Sequence, residues 1–153
     1  MTTFTESPLE RHCRRYREKD LLPAVVDPAA QRILLHVGAT YGAVTMPTEL
    51  GERVLQALRA SGIAGPVFAH PRARRWTFLT GPTRHDEFTA TAAAELFRLY
   101  TTVAGTGSQI VLPSAEDEHS GYRVWVAGPE ALGTRPPQHT VIDAARESGR
   151  ALR

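Results

Sequence analysis

Between residues 42 and 113 the chain alternates two hydrophobic periods in one order, and that order constrains the fold most. "GAVTMP" reads as a strand ended by Pro47, and "TELGERVLQALRASG" follows as a helix. Leu50, Val54, Ala57 and Leu58 share its apolar face, with Arg53 and Arg59 off centre; Thr48 is the candidate cap and Gly62 the stop. "PVFA" and "RWTFLTG" read as strands separated by "HPRAR". "HDEFTATAAAELFRLYTTVAG" is a second helix, with Asp86 and Glu87 in its first turn and Phe88, Ala92, Leu96 and Leu99 on its apolar side. "SQIVLP" closes the series as a strand. Strand, helix, strand, strand, helix, strand is the split β-α-β order of an α+β, ferredoxin-like core. Such a core is an antiparallel sheet with both helices on one face, because each apolar stripe needs a surface to cover it.

The flanks add elements to this core. Within residues 1–20, "SPLERHCRRYREKDLL" reads as an N-terminal helix: Ser7 caps it, Pro8 suits its first position, and Leu9, Cys13 and Tyr16 recur at helical spacing. "PAVVDPAAQRILLHVG" reads as two short strands around an Asp27-Pro28 turn. After "SQIVLP" come the polar loop "SAEDEHSG" and the strand "YRVWVAGP". "QHTVIDAARESGRALR" reads as a strand-like start and a short helix. The linker-like "GPEALGTRPPQ" is too short to separate domains, so residues 1–153 are expected to form one domain. No apolar run approaches the roughly 20 residues that cross a bilayer. The acid-containing N-terminus and the lone Cys13 fit a cytoplasmic chain without membrane contact.

The net charge is +2, but it is unevenly placed. From Arg53 to His85 stand Arg53, Arg59, Arg72, Arg74, Arg75 and Arg84 with no acid among them, while Glu116, Asp117 and Glu118 collect elsewhere. Such a patch either attracts phosphates or is a solvated surface in an arginine-rich chain, where Lys19 is the single lysine.

The stretch "GTGSQIVLPSAEDEHSGYRVWV" resembles the end of the N-terminal domain of bifunctional DNA primase-polymerases. The features that carry the resemblance are Gly107, the strand ending in Pro113 and Ser114, then Ser120, Gly121, Tyr122 and Trp125. They cover about the second half of the chain. The chain is also similar to small actinobacterial proteins of unassigned role, some labelled RNA polymerase β-subunit-like. The resemblance implies an RNA-recognition-like (RRM-like) core, in agreement with the strand order. It also implies an Asp-x-Asp pair to hold divalent metal, and no Asp-x-Asp occurs; Asp27 stands alone in "VVDP". The histidine that opens the family's central strand is replaced by Trp76. Hard carboxylates must hold the two ions of nucleotidyl transfer. A fold kept without that chemistry is therefore the expectation, with no catalytic residue and no cofactor.

Other chemistries find little footing. "GTG" (Gly105 to Gly107) precedes a strand and lacks a Gly-Lys-Ser/Thr ending, so it is no phosphate loop. "EDEH" (Glu116 to His119) is four consecutive residues, which seldom converge on one ion, and the histidines show no HxH or HExxH spacing. In a strand, Trp76 and Phe78 point to one side and Arg75, Thr77 and Leu79 to the other. Those aromatics either stack bases on an open sheet face, with Arg72, Arg74 and Arg75 holding phosphates, or form core beneath the helices. Two functional classes follow: a non-catalytic module that binds single-stranded nucleic acid or nucleotides, and a regulatory domain that docks on a protein of the transcription or replication machinery.

Overall fold

The computed structural model describes residues 5–63, 65–86, 88–130 and 135–152. The elements are α1 (Pro8–Glu18), β1 (Val25–Asp27), β2 (Arg32–His36), β3 (Gly42–Pro47), α2 (Thr48–Ala60), β4 (Val67–His70), β5 (Arg75–Thr80), α3 (Ala90–Arg98), β6 (Thr102–Val103), β7 (Gln109–Leu112), α4 (Ala115–Ser120), β8 (Val124–Ala127) and α5 (Gln138–Ala151). A single turn of 3-10 helix, Pro71–Ala73, joins β4 to β5.

The chain is α+β, with two antiparallel sheets. The larger has the order β6-β3-β5-β4-β8, so β5 lies between β3 and β4, as a split β-α-β unit requires. The smaller has the order β1-β2-β7. Phe78 pairs with Val44 and Trp76 with Met46, and this face is closed by helices. Val44, Met46, Val67 and Phe78 form one core with Leu50, Val54 and Leu58 of α2, Ala92 and Leu96 of α3, and Val141, Ile142 and Ala145 of α5. Alternate strand residues face the other way. Ala43, Phe68 and Leu79 join Cys13, Tyr16, Ile33, Leu35 and Leu112 in a second core beneath α1 and the smaller sheet. The larger sheet is thus the middle of three layers.

Local chemistry explains several boundaries. Ser7 Oγ accepts from Glu10 N at 3.1 Å and starts α1. Asp27 Oδ1 accepts from Ala29 N and Ala30 N, closing the β1–β2 turn. Gly62 at φ 83° lets the chain leave α2.

Several expectations are corrected. The second helix does not run from His85 to Gly105. Thr89 caps it by accepting from Ala92 N, and it ends before Tyr100, which takes φ 54°. The β-branched Thr102 and Val103 then form the fourth core strand. "SQIVLP" therefore leaves the larger sheet and pairs with β2. "SAEDEHSG" is a helix rather than a loop: Ser114 and Asp117 form a capping box, and Gly121 at φ 76° ends it. α5 is helical from Gln138, without a strand-like start. Pro47 rather than Thr48 takes the N-cap position of α2, without a side-chain capping bond, and Leu55 rather than Ala57 is buried on α2. Glu87 and positions 131–134 of the linker-like segment lie outside the described residues.

Candidate nucleic-acid interface

The β4–β5 connection is built to hold arginines in solvent. Pro71 opens the 3-10 turn, and Arg74 closes it in the left-handed region at φ 55°, donating N–H to the Pro71 carbonyl at 3.1 Å. The Arg74 carbonyl accepts from Thr48 N at 3.0 Å, pinning the turn to the start of α2. Arg72 and Arg74 are exposed. Arg75 differs from both. It is half-buried, and its Nη2 donates to the carbonyls of Thr45 at 3.2 Å and Tyr100 at 2.8 Å. Two of the three expected phosphate-binding arginines are therefore free to meet an anion, and the third braces two segments of backbone.

The two strand aromatics sit on the helix side of the sheet. Phe78 is only 1% exposed, so the open-face position considered for it is corrected: α2 and α5 cover that face. Trp76 is half-buried against α2, where Gly51 makes room for it. A β-carbon on Gly51 would stand 2.9 Å from the Trp76 ring.

Different aromatics reach solvent at the same end of the sheet. Phe97 is 83% exposed and Tyr100 77% exposed. The left-handed backbone at Tyr100 disfavours a bulky residue by about 1–2 kcal/mol, so its surroundings must hold it. Tyr100 N donates to Phe97 O at 3.1 Å, Thr101 N to Leu96 O at 2.9 Å, and Arg75 grips the Tyr100 carbonyl. Arg75, Phe97, Arg98 and Tyr100 line a shallow groove beside the edge strand β6.

At the opposite edge, Tyr122 leads into β8. The His70 ring meets it at 4.8 Å, and the guanidinium carbons of Arg123 and Arg72 lie 4.8 and 5.7 Å from its centroid. Arg123 also pairs with Asp117 at 3.4 Å. Burial, reinforced by the charge of Arg123, lowers the His70 pKa, which favours the neutral imidazole. Register joins the two ends. Thr45 pairs with Thr102, Pro47 and His70 both pair with Arg75, and Ala69 pairs with Val124. Tyr100, Arg75, Arg74, Arg72, His70 and Tyr122 thus follow one another along one rim of the larger sheet.

Most residues behind the primase-polymerase resemblance hold the fold together elsewhere. The Tyr16 hydroxyl donates to the Pro113 carbonyl and accepts from Trp125 Nε1 at 2.9 Å. Ser114 and Gly121 start and stop α4, and Ser120 Oγ donates to the Asp117 carbonyl at 3.2 Å. Gly107 takes φ 92° in the turn before β7. Of these positions only Tyr122 borders the rim. Sequence reasoning missed Phe97, Arg98, Tyr100, His70 and Arg123. Phe97 did carry one signal, since it follows the core residue Leu96 and so lies about 100° from it around the helix. Among the described residues no three His, Cys, Asp or Glu side chains gather where they would hold a metal ion, and no helix is long and apolar enough to cross a membrane. Comparison with family models, with curated proteins and with solved structures gives no match to this chain.

Proposed function

We propose that this chain is a non-catalytic, primase-polymerase-like module that binds single-stranded nucleic acid along the rim. One observation carries the reading: two large aromatics, Phe97 and Tyr100, stand in solvent next to Arg98 on the sheet end that also displays Arg72 and Arg74. Exposed rings offer a stacking surface to unpaired bases, and guanidinium groups match phosphate geometry. Contacts of this kind position a strand without reading its sequence.

The test is fluorescence anisotropy with labelled single-stranded DNA and RNA across a salt series. Three phosphate contacts on a single strand correspond to a log–log salt slope of about −2. Replacing Arg72, Arg74 and Arg98 together by Ala should remove most of that slope and leave the fold intact. No binding at low salt, or an unchanged slope in the variant, refutes the reading. A second reading has one observation of its own: β6 is a sheet edge and carries the exposed aromatic pair beside it. A protein of the transcription or replication machinery docking there would bind with little salt dependence and would lose affinity in a Phe97→Ala, Tyr100→Ala variant.

A further inference from the structure

The rim carries stacking surfaces at both of its ends. Phe97 and Tyr100 flank β6, one edge of the larger sheet; Tyr122, with Arg72 beside its ring, flanks β8, the other edge. Four strand spacings of about 4.8 Å separate the two edges, roughly 19 Å in all. A mononucleotide is too small to touch both. A stacked single strand rises about 3.4 Å per nucleotide, so about six nucleotides bridge the distance. Between the two stations the exposed Arg74 lies where a phosphate backbone would cross. A duplex keeps its base faces inside its own stack and offers neither station a partner.

We propose that the rim takes one continuous single strand of about six nucleotides, gripped at both edges of the sheet, in preference to a mononucleotide or a duplex. This rests on the nucleic-acid reading given above. Beneath the β6 station, Arg75 holds the carbonyls of Thr45 and Tyr100. The Tyr122 station differs in kind, because its ring already lies near two guanidinium groups. A base there extends the stack on the exposed Arg72, since a guanidinium plane stacks on bases as an aromatic ring does.

The experiment compares oligothymidylates of about three, six and twelve nucleotides, and a duplex of about twelve base pairs, by anisotropy competition. Two variants are used, Phe97→Ala with Tyr100→Ala and Arg72→Ala with Tyr122→Ala, each checked by thermal melting; Arg72→Ala alone is the second probe if the latter fails to fold. Affinity should rise steeply from three to six nucleotides and little beyond. Each double substitution should weaken the six-mer about tenfold or more, in line with the loss of a stacked base. On the three-mer either variant should have little effect, because a strand that short occupies one station at a time and the unaltered station still takes it. Equal affinity for three-mer and six-mer, equal binding of the duplex, or a six-mer indifferent to either variant overturns the continuous strand while leaving nucleic-acid binding in place. Failure of every oligonucleotide to bind overturns both readings.

Discussion

Replacing Tyr16 by Phe should loosen the joint between the two sheets while leaving the rim untouched. Tyr16 is 2% exposed, and its hydroxyl ties three distant segments together: α1, the end of β7 and β8. Burial raises its pKa well above the ordinary tyrosine value, against the opposing hydrogen bond from Trp125, so the group is a neutral donor and acceptor. Phe keeps the ring and its edge contact with Trp125, whose centroid lies 6.1 Å away, and removes only the oxygen. The buried Pro113 carbonyl then loses its donor, and Trp125 Nε1 loses its acceptor. An unsatisfied buried group costs about 1–3 kcal/mol. Trp125 is only half-buried and recovers some of its loss from water, so the expected destabilisation is about 3 kcal/mol. For a chain of this length that is a fall of about 9 °C in Tm. Urea unfolding followed by tryptophan fluorescence measures it, with Trp76→Phe as the background so that Trp125 alone reports. The midpoint should fall with little change in slope. A loss below about 0.5 kcal/mol, which is the range of neutral surface changes, would refute the joint. Oligonucleotide affinity of the folded variant should equal that of wild type.

Two further perturbations probe the other layer and the titrating groups. Gly51→Ala raises helix propensity by about 1 kcal/mol but drives a β-carbon to 2.9–3.1 Å from Trp76, an overpacking of about 1–3 kcal/mol; a net loss near 1 kcal/mol is expected by denaturant titration, and a stabilised variant contradicts the packing. His12 and His70 have pKa values lowered from 6.5, in each case first by burial and then by an arginine charge (Arg15 for His12, Arg123 for His70), so on acidification the unfolded chain takes up protons first. Their contribution is whole above about pH 6.5 and is lost as pH falls through that value toward the lower folded pKa values, and His12→Gln with His70→Gln should flatten stability measured between about pH 7 and pH 5.5.

Much of the fold was legible because it rests on local patterns. The alternation of Trp76 and Phe78 against Thr77 and Leu79 is a property of any strand, and the stripe of Leu50, Val54 and Leu58 is a property of any helix. Ser7 and Gly62 act within a few residues of themselves. Their order along the chain already implied an antiparallel sheet with the helices α2 and α3 on one face, and both share the core on that face; α5, which the order did not place there, joins them. The exposure of Phe97 was not legible in the same way, since a helix pattern shows which side is apolar and not how much of a neighbouring residue its partners will cover.

What the sequence determined by itself, then, was the type and order of most elements, because propensity, capping and hydrophobic period act over a few residues. Only the tertiary structure decided which strand completes the larger sheet. Thr102–Val103 and Gln109–Leu112 both follow the second helix, and the choice turns on distant partners: Thr45 takes the first, and Ile33 to His36 take the second. It also decided that the Trp76–Phe78 face is core while Phe97 and Tyr100 remain in solvent, and that Arg75 binds backbone while Arg72 and Arg74 stay exposed. Each of these outcomes depends on residues far apart in the chain being brought within a few ångströms, and contacts of that range leave no periodic mark along the sequence.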